Sequence, residues 1–431
     1  MTRTSLLAGA SALAISALTA LPAAAQCVQT GPVVTCAADD LDGFASADDN
    51  LDITVEREAL VTNSDDAFDL DGTDTQTVTN NGIIDSTGDR GIDVDNGDGL
   101  TVTNDGEIIA KDDAIRGGDN VTVVNGFNGV LSSLDQEGID AGDDLDVTND
   151  GLIDAGDEGI QAGLRAKIAN TADGAIFAFD DAIQIQGDAD IENAGFVLSF
   201  EEDGIDVDSG KIVNTSTGTI ASAAVGAGGI DVDAIPADDI PDLATLDLLI
   251  DNEGVIIGET GILVDAANMQ AQTIRNAGEI VGFEGIAADL GAGDDIVNLV
   301  GAGLFGGSVL FGDGDDILNL SQVGPGVAGG DVAFFDGGNE KNADLIAFGS
   351  EVNLSDVQVF DDRDPARARL AFSGASGNAT VHFTGFELFA FGDGVVSAAD
   401  ISAVAPVPAP AGFGLLLFAA GALGMMGRRR S

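Results

Sequence analysis

Short apolar runs recur along the chain in a fixed order, separated by Gly, Asn and Asp. An aliphatic residue stands two places before a recurring Asn. Val78, Val102, Val123 and Val147 precede Asn80, Asn104, Asn125 and Asn149, and Ile168, Ile191, Ile212, Ile250 and Ile274 precede Asn170, Asn193, Asn214, Asn252 and Asn276. These Asn residues are spaced by 24, 21, 24, 21, 23, 21, 38 and 24 positions. After most of them come a Gly and a further aliphatic, as at Ile108, Ile153, Val197, Ile256 and Ile280. A second phrase interleaves with the first, a small residue and then an apolar one, from Ala67-Phe68 through Gly138-Ile139 and Gly204-Ile205 to Gly261-Ile262 and Gly285-Ile286.

A period near two dozen residues, built of β-branched runs with turn residues between them, means one supersecondary unit per repeat. Leucine-rich repeats need a Leu skeleton and a helical segment, and helical repeats are longer and poor in Gly; neither fits. The pattern predicts an all-β chain, a right-handed parallel β-helix of about ten coils or more, each coil holding three short strands with apolar residues turned inward. Coils stack about 4.8 Å apart, so ten make a rod roughly 50 Å long. The recurring Asn would then lie one above another, with their amides bonding along the stack. The expected divisions are an N-terminal cap over 26–60, repeats over 61–289, Gly-Asp coils over 290–330 and a Phe-rich β cap over 331–400, with Phe334, Phe335, Phe348, Phe372, Phe383, Phe386, Phe389 and Phe391 covering the open end. The long step from Asn214 to Asn252 marks an insertion at 234–248, expected to project as a loop because Pro236 and Pro241 oppose another coil.

The residues after the second apolar phrase form a column on the outer face: Asp69, Asp93, Arg116, Asp140, Gln161, Gln184, Asp206 and Asp231. Carboxylates stacked 4.8 Å apart repel by roughly 1 to 3.5 kcal/mol for effective dielectrics of 80 down to 20. Arg116 would relieve Asp93 and Asp140. Asp206 and Asp231, joined by Asp208 and Asp233, have no such relief. They read either as a solvated acidic face or as a patch that a hard cation bridges.

Charge narrows the partners. With 74 acidic and 16 basic residues the formal net charge is -58, which repels phosphate backbones and anionic headgroups, excludes nucleic acid as a partner and makes cations the natural counterions. No cofactor is required by any motif; calcium is the one ion the acidic features invite. The sole histidine, His382, alternates with Val381 and Phe383 and is expected to face solvent, not to catalyse.

Both termini read as addresses. Residues 1–25 combine Arg3, an apolar run and the small-residue site Ala23-Ala24-Ala25, the pattern of a cleaved export signal. Cys27 and Cys36, the only cysteines, follow at once, and in an oxidising compartment a bridge between them contributes about 2.5 to 3 kcal/mol on the chain-entropy estimate. At the other end a Pro-rich hinge over 401–410 leads to an uncharged span from Ala411 to Gly427 and then Arg428, Arg429 and Arg430. The span predicts a single transmembrane helix stopped by the arginines, which stay on the cytoplasmic side.

Hinge, span and arginines together resemble the PEP-CTERM class of bacterial sorting tails, and Val407-Pro408-Ala409-Pro410-Ala411 is similar to its VPLPA variant, with Ala409 in place of Leu and without the Glu of the namesake motif. The resemblance implies export machinery and an exosortase-type processing protease as partners, and a chain held briefly in the inner membrane of a Gram-negative cell before transfer outward. A permanent single-span anchor is the alternative. "LGAGDDIVNL" at 290–299 and "FGDGDDILNL" at 311–320 are similar to the haemolysin-type calcium nonapeptide GGxGxDxUx. Gly293, Asp295, Gly314 and Asp316 fall on its positions, and the resemblance implies calcium between neighbouring turns; structural turns are the other reading.

The body as a whole resembles passenger domains of autotransporter adhesins, with a sorting tail where their outer-membrane barrel would follow. The resulting expectation is a non-enzymatic exported protein acting in adhesion, biofilm matrix or surface structure toward a surface, glycan or protein ligand. Two alternatives stand beside it: a polysaccharide lyase or hydrolase on a β-helix, for which Arg90, Arg116, Arg165 and Lys167 are the available cations, and a calcium-binding structural protein.

Overall fold

The computed structural model describes residues 26–402 apart from 72–74, 95–96, 235–246, 324–332, 339–342, 361–367 and 375–376. The chain is all-β and winds through about 12 turns of a parallel β-solenoid. Each regular coil has three strands, as at Thr77–Asn80, Ile83–Ser86 and Ile92–Asp93, followed one coil later by Thr101–Asn104, Glu107–Ala110 and Ile115–Arg116. The first strand of every coil joins one long sheet, and the second and third join another.

Register follows the repeat letter for letter. Thr101, Val102, Thr103 and Asn104 pair with Thr77, Val78, Thr79 and Asn80 on one side and with Thr122, Val123, Val124 and Asn125 on the other. Because side chains alternate across a strand, Val102 and Asn104 both point inward while Thr101 and Thr103 point out. Val78, Ile84, Ile92, Val102, Ile108 and Ile115 and their counterparts in later coils are fully buried and form one continuous aliphatic core.

Each recurring Asn is buried, and its Nδ2 donates to Oδ1 of the next Asn, from Asn80 to Asn276, at 2.8 to 3.0 Å. A second Nδ2 bond reaches a backbone carbonyl, and Oδ1 also takes the N–H two residues on, as in Gly151 N to Asn149 Oδ1. An amide carries donor and acceptor on one head, so it can stack on itself with every group satisfied. The Gly that follows is obligatory: a Cβ at Gly151 would lie 2.2 Å from the Gly129 carbonyl oxygen.

The insertion after Asp233 leaves the ladder unbroken. Asn214 Nδ2 meets Asn252 Oδ1 at 2.8 Å across a 38-residue step. Most of 234–248 lies outside the described residues. Beyond it the second and third strands fuse into Val255–Val264 and Glu279–Asp289. Here one expectation is corrected. Thr260 pairs with Ile286 and Ile262 with Ala288, so Ala287-Ala288 takes the place read from sequence as Gly285-Ile286. The strand bulges between Gly282 and Ile286, with Gly285 at φ 99° and Phe283 exposed.

Both ends of the solenoid are closed. Val28–Thr30 folds back antiparallel on Val33–Cys36, and a disulfide joins Cys27 to the buried Cys36. Val33–Cys36 already stacks in parallel on Asp52–Val55, so coiling begins inside the segment expected as a cap. At the far end an antiparallel meander of Val357–Phe360, Ala368–Gly374 and Gly377–Thr384 and a hairpin of Leu388–Phe391 with Gly394–Ser397 cover the last coils. Phe311 meets Phe386 edge-on at 5.5 Å, Phe348 stacks on Phe391 at 4.8 Å and Phe383 packs on Phe389 at 5.2 Å. The side chain of Phe372 lies outside what is described. So do the leader at 1–25, the motif Val407 to Ala411, the expected transmembrane helix and Arg428 to Arg430. Among the described residues no helix is long and apolar enough to cross a membrane.

Truncating the ladder tests its weight. Asn149→Ala removes one acceptor of Asn125 Nδ2 and strands Asn170 Oδ1 and the Gly151 N–H in the interior, and is expected to cost about 2 to 4 kcal/mol, read as a lowered urea midpoint. Asp154→Ala, on an outward position of the same coil, should shift it by no more than about 0.5 kcal/mol.

Candidate functional site

The outer column exists as read from sequence. Asp69, Asp93, Arg116, Asp140, Gln161, Gln184, Asp206 and Asp231 succeed one another in register along the third strands. Arg116 Nε lies 3.6 Å from Asp140, and Arg90 Nη1 approaches Asp93 at 3.3 Å. Arg90 also holds Asp113 at 3.0 Å and Asp89 at 3.6 Å. The Gln161 and Gln184 amides bond to each other at 3.0 Å, which stacks two coils without charge.

A second column runs beside it, at the corner before the third strand. Backbone bonds place Asp66, Arg90, Asp113, Glu137, Glu158, Asp181 and Asp203 one above another, as in Ala114 N to the Glu137 carbonyl and Gly138 N to that of Glu158. The signal was present in sequence as the residue ahead of each small-apolar pair, a charged residue in seven successive repeats. In the Asp coils the short carboxylate accepts the main-chain N–H of the next coil: Arg90 N donates to Asp66, Asp203 N to Asp181 and Gly228 N to Asp203. The longer Glu137 and Glu158 turn back on their own N–H groups.

Burial and mutual repulsion raise these carboxyl groups far above their ordinary values. Desolvation is the first cause throughout. It brings Asp181, Asp203 and Asp231 to about 7 and Asp206 to about 8, with neighbouring carboxylates adding to each. Asp208 rises to about 6 from burial and the Asp233 charge. The four-carboxylate patch of Asp206, Asp208, Asp231 and Asp233 therefore forms, enlarged by Asp181 and Asp203. No Lys or Arg among the described residues makes an ion pair with it. Asp206 Oδ1 is buried without a hydrogen-bond partner.

The Gly-Asp turns behave differently from outward calcium turns. Gly291, Gly293 and Gly312 take φ of 74°, 139° and 87°, the left-handed region where Gly has no Cβ to clash. Asp295 and Asp316 are brought together, but they point inward and are fully buried. Gln272 N donates to Asp295 Oδ1 at 2.7 Å, Asp295 N to Asp316 Oδ1 at 2.8 Å and Asp316 N to Asp344 Oδ1 at 3.0 Å. Burial pushes Asp295 to about 8. Gly293 N donates to the Asp313 carbonyl, and Gly314 packs so closely on Gly293 that a Cβ would lie 1.8 Å from its oxygen. His382 is partly exposed between buried Val381 and Phe383.

A pH dependence follows. Asp181, Asp203, Asp206 and Asp231 hold protons in the folded chain that the unfolded chain, near 3.8, has already released. Their contribution to stability is complete below about pH 4 and is lost as pH rises through about 7 to 8. In chelator at low salt the melting midpoint should fall from about pH 5 to about pH 8, and Asp206→Asn should raise the midpoint more at the upper pH than at the lower. A midpoint that climbs with pH would show these groups to be ionised and satisfied.

Comparison with known proteins found no matching family, no matching curated protein and no matching solved structure.

Proposed function

We propose that this chain is a non-enzymatic, exported, right-handed β-solenoid that serves a Gram-negative cell at its surface or outside it, in adhesion, biofilm matrix or surface structure. The observation that carries this reading is the closure of the solenoid at both ends, by the Cys27–Cys36 hairpin and by the aromatic cap. Open sheet edges recruit further chains. A solenoid closed at both ends instead stands as a discrete stiff element that presents its flanks. A disulfide just after a leader-like segment suits an oxidising compartment.

The cations that a polysaccharide lyase would need are engaged elsewhere. Arg90 and Arg116 sit on the carboxylates described above, Arg165 pairs with Asp143 and Asp144 at 3.0 and 2.7 Å, and Lys167 lies 4.0 Å from Asp146. Each of these four lies against an acid of its own or a neighbouring coil, which makes it less available to neutralise a uronate. In this reading the Gly-Asp turns cap backbone N–H groups at the end of the solenoid, and Val407 to Ala411 with the arginines beyond delivers the chain to its processing protease.

Fractionation of the producing cell, with mass spectrometry of the mature C-terminus, tests the proposal. The body should be found on intact cells or in the medium, ending near Val407 to Ala411. A chain confined to the cytoplasm with its leader intact would sink the proposal, and unsaturated products from uronic-acid polymers would move the reading to the lyase.

A further inference from the structure

Among the described acids, one group stands apart from both features read from the sequence. Glu137 and Glu158 occupy the same corner in adjacent coils, fixed by the bond from Gly138 N to the Glu158 carbonyl at 2.9 Å. Asp157 is set beside them by its own N–H, which donates to the Gln136 carbonyl at 3.1 Å. Carboxylate oxygens of all three lie within 4.8 Å of one another. Glu158 is only 8% exposed, and its Oε2 is buried without a hydrogen-bond partner.

Elsewhere in this column such an oxygen is satisfied. Asp66, Asp181 and Asp203 accept the N–H of the next coil. The comparable trio of Asp65, Asp66 and Asp89 has Arg90 against it, 3.6 Å from Asp89. Among the described residues no Lys or Arg makes an ion pair with Glu137, Asp157 or Glu158: Arg90 is taken by Asp89, Asp93 and Asp113, and Arg116 faces Asp140. A buried carboxylate oxygen with neither donor nor cation is a costly arrangement for a fold to keep.

We propose that Glu137, Asp157 and Glu158 bind one divalent cation, calcium in preference to magnesium, which clamps two adjacent coils. The donors are all carboxylate oxygens, which suits a hard ion and offers zinc none of its nitrogen or sulfur ligands. Calcium accepts about six to eight oxygens at about 2.3 to 2.6 Å in a flexible shell, whereas magnesium demands a near-ideal octahedron at about 2.0 to 2.1 Å and dehydrates reluctantly, which an all-carboxylate site on rigid coils suits poorly. Three carboxylates offer up to six oxygens, and water completes the shell on the solvent side. The site lies more than a hundred residues before the Gly-Asp turns and is independent of where the protein is delivered.

Isothermal titration of the full chain, stripped with chelator, first with calcium chloride and then with magnesium chloride, tests this. A saturable calcium site is expected with a dissociation constant on the order of 0.1 to 1 mM, the range of extracellular modules, with magnesium weaker by about tenfold or more. Glu158→Gln, which keeps the shape and removes the charge, should weaken calcium by about tenfold or more, while Asp206→Asn and Asp295→Asn leave this site in place. If circular dichroism shows that Glu158→Gln does not fold, Asp157→Asn at the partly exposed rim reads the same loss. No saturable calcium heat in the parent chain, or an unchanged isotherm in the folded Glu158→Gln or Asp157→Asn chain, overturns the site. Loss of this calcium heat in Asp206→Asn or Asp295→Asn instead would place the ion elsewhere and overturn it equally.

Discussion

Each coil lies on a near copy of itself at one strand spacing, so a side chain must tolerate its own kind directly above and below. That constraint sorts residues by their self-complementarity. Aliphatics stack on themselves by dispersion and exclusion of water. Amides stack because one head both gives and accepts. Carboxylates do neither, and two in register cost energy unless a proton, a cation or a main-chain N–H intervenes. Each of these remedies is called on along this chain.

The Asn ladder is legible in the sequence because a self-stacking amide leaves a regular trace, one Asn per coil with an inward aliphatic two places earlier. The strand phrases and the third-strand column were legible for the same reason: register is set by the inward pattern, so outward letters inherit it. The bulge before Ile286 was not, because the letters Gly-Ile satisfy the phrase while Gly285 at φ 99° carries the backbone around an extra loop. Sequence shows which residues could take the inward place, not which of two candidates the neighbouring coil will accept. The corner column of acids escaped for a different reason. Its members sit beside the small residues that draw attention, and an Asp next to Gly reads as turn chemistry until stacking aligns it with the Glu of the next coil.

The distribution of the few basic residues makes sense in these terms. Arg90 is placed where three carboxylates of two coils converge, Arg275 bridges Asp251 and Glu253, and Arg165 takes Asp143 with Asp144. Arg suits this work, since its planar fork can serve stacked acids from one stem. Between Glu137 and Asp231 on the acidic corner no such residue intervenes, and there the burden falls on protons and counterions. A strongly negative chain in salty water gains solubility from its excess charge while paying locally wherever the acids are half-buried.

The interior itself changes character along the axis. At the position just before the first strand the coils carry Leu51, Gln76, Leu100, Val121, Leu145, Ala166, Ala189, Gly210 and Leu248, and from there on the residue is polar in each coil, Gln272, Asp295, Asp316 and Asp344, all four buried. A carboxylate in that place is tolerable because the N–H of the preceding coil points at it, and because burial keeps Asp295 largely protonated near neutrality. The same Gly-Asp letters that suggest an ion on the surface therefore act from within, as acceptors for main-chain donors near the end of the solenoid. Inward or outward is decided by one residue of register, so an Asp beside a Gly carries no fixed role until the coil beneath it is known.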